Sequence, residues 1–225
     1  MCLKCSECTE NSCSDVGHSL RSSCPLLRLR PIHEHDLSMA SPVAHTFAGF
    51  WIFLARAGQN SKRDLDRARA SYLLQLAVLI VLANLPDADF VAGLLLKANE
   101  VHRGASHSLA AAVIVSACLS SIWQMVPGFW RSALLYFTAY SSHLLIDLCT
   151  GTSLGWTGSG YGIPLLWPWR REFSSPLILF LGVRHENLSE LFATQNAWSA
   201  LYELLTCGAI SSLILMLRLR YARDG

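Results

Sequence analysis

Three short stretches of this chain carry side chains that can ligate a metal. They read NLPDADF at residues 84–90, VHRGASHS at 101–108 and SSHLLIDLCTG at 141–151, and each sits at the end of an apolar run. His143 and Asp147 are four apart, which on a helix puts both on one face, one turn apart. Asp87 and Asp89 follow Pro86; two apart in extended backbone, they are expected to point the same way. His102 and His107 straddle a glycine, which lets the backbone turn so that the two imidazoles converge. With His45 added, three carboxylates and up to four histidines form a mixed nitrogen and oxygen set. Such a set suits Zn²⁺, Mn²⁺ or Fe, singly or as a pair, better than Ca²⁺. Carboxylate-bridged cations about 3.5–4 Å apart can activate water and hold a phosphoryl group. Arg103 offers a planar fork for a phosphate or carboxylate. Ser106 and Ser108 are read as caps of the following helix rather than nucleophiles.

Each cluster has a plainer explanation. His45 and His185 fit interfacial polar positions, the aspartates fit a polar loop, and His143 with Asp147 fits a hydrogen bond between neighbours. What favours chemistry is their common location, and that depends on the elements that carry them.

Those elements are apolar. Hydrophobic residues make up 52% of the 225 and charged residues 15%, against about 25% charged in ordinary soluble domains. Mean hydropathy is +0.34. The net charge of +2 gives no reason to expect nucleic acid as a partner. Apolar runs fall at 42–58, 71–85, 108–126, 132–149 and 197–217, while 175–183 is too short to span. A span takes roughly 20 apolar residues, so the sequence predicts an all-α polytopic membrane protein with four to five transmembrane helices. The alternative is a soluble bundle with buried helices. Pro86 should stop the second helix near Leu85. The Gly-, Trp- and Pro-rich stretch 151–172 reads as a structured loop whose tryptophans suit an interfacial belt or a pocket wall.

With five spans, the basic segments 56–70, 131 and 218–223 share one side, nine Lys and Arg against five on the other. That bias favours the cytoplasm for the basic side. His45, Asp87, Asp89, His102, His107, His143 and Asp147 then all reach the opposite face.

Residues 1–38 differ from the rest. Cys2, Cys5, Cys8, Cys13 and Cys24 lie there without the second pair a zinc module needs. The segment is expected to be a disordered extension, with Met39 as an alternative start. No basic stretch leads into an apolar core, so no signal peptide is expected. Cys118, Cys149 and Cys207, in apolar runs, are expected to be small buried hydrophobes.

The order N-L-P-D-A-D, H-R-G-A-S-H-S, S-H-L-L-I-D-L-C-T-G and L-L-W-P-W, preceded by His45 and Gly49, resembles the YdjM-like family. The resemblance spans about residues 42–220. It implies a multi-pass protein of the bacterial inner membrane with a bound metal, hydrolytic activity and, by the family's description, LexA binding. A fainter similarity of ligand types to zinc-dependent phospholipase C implies a phosphoester, lipid-like substrate. The resulting expectation is a hydrolase domain over 39–225 holding a divalent cation, Zn²⁺ first and Mn²⁺ or Fe next. His45, Asp87, Asp89, His107, His143 and Asp147 are the candidate ligands, with His102 and Arg103 as catalytic or substrate-binding groups. The competing readings are a metal-binding or transporting membrane protein without catalysis, and a regulatory membrane protein with a soluble partner.

Overall fold

The computed structural model describes residues 38–57, 65–89, 104–158, 160–169, 171–184 and 193–224. Five α-helices account for most of them: α1 (Pro42–Ala57), α2 (Leu65–Asn84), α3 (Leu109–Ile122), α4 (Phe129–Leu148) and α5 (Thr194–Asp224). The first 37 residues, with their five cysteines, lie outside the described residues.

Local sequence explains the boundaries. Pro42 opens α1, where its fixed φ suits the first helical position. After α2, Leu85–Asp87 tightens into a 3₁₀ turn around Pro86. A second 3₁₀ turn, Ala105–His107, leads into α3. Ser108 caps that helix, its Oγ accepting from the Ala111 N–H at 3.1 Å, as expected. Gly128, at φ +104°, makes the turn into α4.

Helices α1, α2 and α4 meet around Leu79, Leu82, Met125, Tyr136 and Ala139. Tyr136 secures the α3–α4 turn, donating to the Trp123 carbonyl at 3.0 Å and accepting from the Met125 N–H at 3.2 Å. The α1–α2 contact is backbone on backbone at Gly49. A Cβ there would stand 2.8 Å from both Ile80 Cα and Leu79 O. His45 lies one turn before Gly49 on the same face, so the glycine lets α1 seat closely enough to carry that histidine inward.

The 150–184 region adds pairs of two-residue strands to the helical fold. β1 (Ser38–Met39) pairs antiparallel with β6 (Val183–Arg184). β2 (Thr150–Gly151) pairs parallel with β5 (Phe180–Leu181). β3 (Gly155–Trp156) pairs antiparallel with β4 (Leu177–Ile178). The expected loop is thus a small clasp that starts at the end of α4. Trp156 and Trp169 are exposed on it while Ile163 is buried.

The surface is strongly apolar. Leu73, Val81, Val113, Ile114, Leu134 and Leu145 are exposed, whereas Ser116, Ser120 and Ser132 are buried. Within α5, Thr194–Arg220 is 27 residues long and holds an 18-residue window of mean hydropathy 1.8; the segment is about 40 Å of helix at 1.5 Å per residue. It is the one described helix both long and apolar enough to cross a membrane. Cys118 is exposed and Cys149 half-buried; only Cys207 is buried as expected. The expectation fails at Cys118 because it lies on an outward apolar face of α3.

Candidate metal centre

One end of the helical bundle gathers the candidate ligands. His45 comes from the first turn of α1, Asp87 from the 3₁₀ turn after α2, and His107 from the 3₁₀ turn before α3. His143 and Asp147 come from the last turns of α4. The three histidines are fully buried and Asp147 nearly so, while the Asp87 side chain keeps 22% exposure.

His143 and Asp147 share a face as their spacing requires, with Nε2 and Oδ2 3.1 Å apart. His107 Nε2 stands 3.3 Å from His143 Nε2. Asp87 Oδ1 is 3.4 Å from His143 Nε2 and 3.5 Å from His107 Nε2. Asp147 Oδ2 is 3.5 Å from His107 Nε2. Donors around a tetrahedral zinc at ~2.0–2.1 Å are separated by about 3.3–3.4 Å. The five spacings, 3.1–3.5 Å, are therefore those of neighbouring donors on one zinc ion.

The remaining ring nitrogens are held from outside. His143 Nδ1 lies 2.9 Å from the Ala83 carbonyl, so Nδ1 carries a proton and Nε2 is the ring nitrogen aimed inward. His107 Nδ1 lies 3.1 Å from Ser106 Oγ and 3.4 Å from Asp89 Oδ2, and Ser106 donates to that same carboxylate. Outer partners of this kind set the tautomer and raise ligand basicity. Tyr140 donates to the Ser106 carbonyl at 2.7 Å, pinning the turn onto α4.

Inward-facing atoms are left without hydrogen bonds. Asp87 Oδ1, both Asp147 carboxylate oxygens and both His45 nitrogens are buried and make none. A buried polar group in that condition costs roughly 1–3 kcal/mol, so five together form a site built for a ligand. Two triads, His45–His143–Asp147 and Asp87–His107–His143, each keep their donor atoms within 4.8 Å of one another. The fit to a divalent cation is good in donor type and spacing. Burial would raise the carboxyl of Asp87, but the facing imidazoles of His107 and His143 more than reverse this and hold it well below the usual range. Burial would lower His107; the Asp87 and Asp89 carboxylates reverse that too and hold its pKa above the ordinary value.

Two expectations need correction. The backbone from Leu85 to Asp89 is helical, not extended. Residues two apart on such a backbone diverge, so Asp87 faces the centre and Asp89 stands behind His107. Ser106 does not cap α3; it braces His107 and Asp89. His102, Arg103 and His185 lie outside the described residues.

Glu203 is a buried group that the reading of the sequence passed over. It projects from α5 to the start of α1, accepting from Ser41 Oγ, from the Ser41 N–H at 3.3 Å and from the Ala44 N–H at 3.1 Å. A carboxylate there satisfies orphan donors at a helix N-terminus and complements its dipole. It fixes α1 one residue before His45. The signal was available: Glu203 is the lone acid in the 197–217 run, where an ionisable residue is costly.

The YdjM inner membrane protein family matches residues 39–221, which covers all of the described helical fold up to the last residues of α5. The chain belongs to the YdjM inner membrane protein family. This places it in the membrane, in agreement with α5. No curated protein and no solved structure matches the chain.

Proposed function

We propose that this YdjM-family protein is a multi-pass inner-membrane hydrolase that uses a divalent cation, zinc first among candidates, to cleave a phosphoester or similar lipid-like substrate. The observation that carries this reading is the convergence of buried histidine and aspartate donors from four segments, among which Asp87 Oδ1, both Asp147 oxygens and both His45 nitrogens make no hydrogen bond. His107, His143, Asp87 and Asp147 would hold the cation, with His45 beside them. When bound, the cation would supply Lewis acidity and lower the pKa of water towards about 7. Asp89 and the Ala83 carbonyl keep the ring nitrogens of His107 and His143 correctly protonated. Asp87, the most exposed of the ligands, marks the side from which substrate arrives. Arg103 and His102 keep their sequence-based roles in anion binding and proton transfer.

A lipid-like substrate draws support from a groove of about 580 Å³ lined by Trp51, Leu109, Phe137, Ser142, Leu145 and Leu165. Three of these, Leu109, Ser142 and Leu145, lie within two residues of His107 or His143 in sequence. Several spans draw support from the apolar outward faces of α2, α3 and α4 set against small and hydroxylated buried positions, the pattern of helices packing in lipid. Ligands at helix ends rather than at mid-depth favour surface chemistry over passage of an ion.

The test is to purify the protein in detergent, measure bound metal, and assay cleavage of phospholipids and phosphodiesters. Activity lost with chelator and regained with zinc is the expected result. Full activity in the Asp87→Ala, His143→Ala double variant would contradict the proposal.

A further inference from the structure

The two carboxylates divide their oxygens. Asp87 turns Oδ1 to His107 and His143, at 3.5 and 3.4 Å, and Oδ2 to His45 Nε2 at 3.9 Å. Asp147 turns Oδ2 to His107 and His143, at 3.5 and 3.1 Å, and Oδ1 to His45 Nε2 at 3.5 Å. His45 thus faces the opposite oxygen of each carboxylate from the one that faces the other two histidines. Its ring stacks on that of His143, with centroids 3.8 Å apart. His45 is fully buried and its Nε2 makes no hydrogen bond; neither does Asp147 Oδ1.

We infer that the centre is binuclear: a second divalent cation binds between His45 Nε2, Asp87 Oδ2 and Asp147 Oδ1, bridged by both carboxylates to the cation at His107 and His143. This rests on the metal-site part of the proposed function. A single cation in the four-donor cage gives His45 no role and leaves its buried Nε2 without a hydrogen bond. Carboxylates used through both oxygens are the usual way to hold cations about 3.5–4 Å apart. The two positions differ in kind. The first draws on four protein side chains and the second on three, so the second leaves more room for water or a substrate oxygen.

The full chain, purified in detergent and stripped with a chelator, is reloaded with Zn²⁺ and analysed for metal per chain. A Mn²⁺-loaded sample is examined by electron paramagnetic resonance. Wild type should take two zinc ions per chain and give an exchange-coupled manganese spectrum. His45→Ala and the milder His45→Gln, checked for unchanged helix content, should each take one, with an uncoupled spectrum. One zinc per wild-type chain, or two retained in a folded His45 variant, overturns the binuclear assignment. The first of these outcomes leaves a single-cation hydrolase standing. No zinc at all overturns both readings, while two zinc ions without hydrolysis overturns only the enzymatic one.

Discussion

His107 Nε2 and His143 Nε2 face each other at 3.3 Å across 36 residues of sequence. Each is held at its other nitrogen by a separate partner, Ser106 with Asp89 for one and the Ala83 carbonyl for the other. The pair is therefore aimed before any ligand arrives. Asp89 serves here by orienting, so its removal should weaken the site without abolishing it. Asp89→Ala is expected to lower metal affinity by roughly 10–100-fold, as loss of outer-shell partners does. Competition with a chromophoric chelator measures this. An affinity equal to wild type would remove Asp89 from the site, and complete loss would make it a direct ligand.

Gly49→Ala should destabilise the fold and the metal centre together. The new Cβ would meet backbone atoms of Leu79 and Ile80 at 2.8 Å, and backbone cannot swing aside as a side chain can. Overpacking of this kind costs about 1–3 kcal/mol. Thermal unfolding in detergent should shift downward, and because His45 rides on the same face, metal content should fall as well. An unchanged midpoint with full metal would mean that α1 and α2 separate freely.

Glu203 should matter through α1. Glu203→Ala leaves the buried Ser41 N–H without its acceptor and takes one of two acceptors from the Ala44 N–H, at roughly 1–3 kcal/mol. Glu203→Gln keeps an acceptor oxygen and should be milder. Unfolding and metal affinity measured side by side should rank wild type above Gln above Ala. Equal loss in both variants would instead point to a role for the charge itself.

Metal binding should release protons and strengthen with pH. His107 titrates above its ordinary value of 6.5 because, although burial opposes the charge, Asp87 and Asp89 stabilise it more. Below that raised pKa a cation must displace a proton from the ring, so affinity rises as pH increases towards the pKa and levels off above it. Asp87, held below the usual carboxylate range, is already ionised and adds no slope there. Calorimetry at about pH 6, below the ordinary value, in two buffers of different ionisation enthalpy reads the released proton directly. Identical heats in both would contradict this.

Much of the fold and of the candidate site was legible in the apolar runs and the short polar clusters at their ends. Apolar runs located all five helices, though the run at 71–85 starts six residues inside α2 and the run at 197–217 stops seven residues short of the end of α5; Pro86 marked the end of α2, and alternation of helix direction brought the clusters to one end. The four-residue spacing of His143 and Asp147 fixed their shared face. What failed were local backbone states. Asp87 and Asp89 diverge because a 3₁₀ turn replaces extended chain, which no propensity in L-P-D-A-D dictates. The strand pairs between 150 and 184 are two residues long, too short for any alternation to register. Gly49 could be recognised as a contact only once Ile80 was known to lie opposite.

The central claim is a cation cage made by Asp87, His107, His143 and Asp147. Elemental analysis of the detergent-purified protein, wild type beside the Asp87→Ala, His143→Ala double variant, tests it most directly. The account predicts stoichiometric zinc, manganese or iron in the wild type and none in the folded double variant. Equal metal in both, or none in a wild type purified without chelator and then offered zinc, would contradict it.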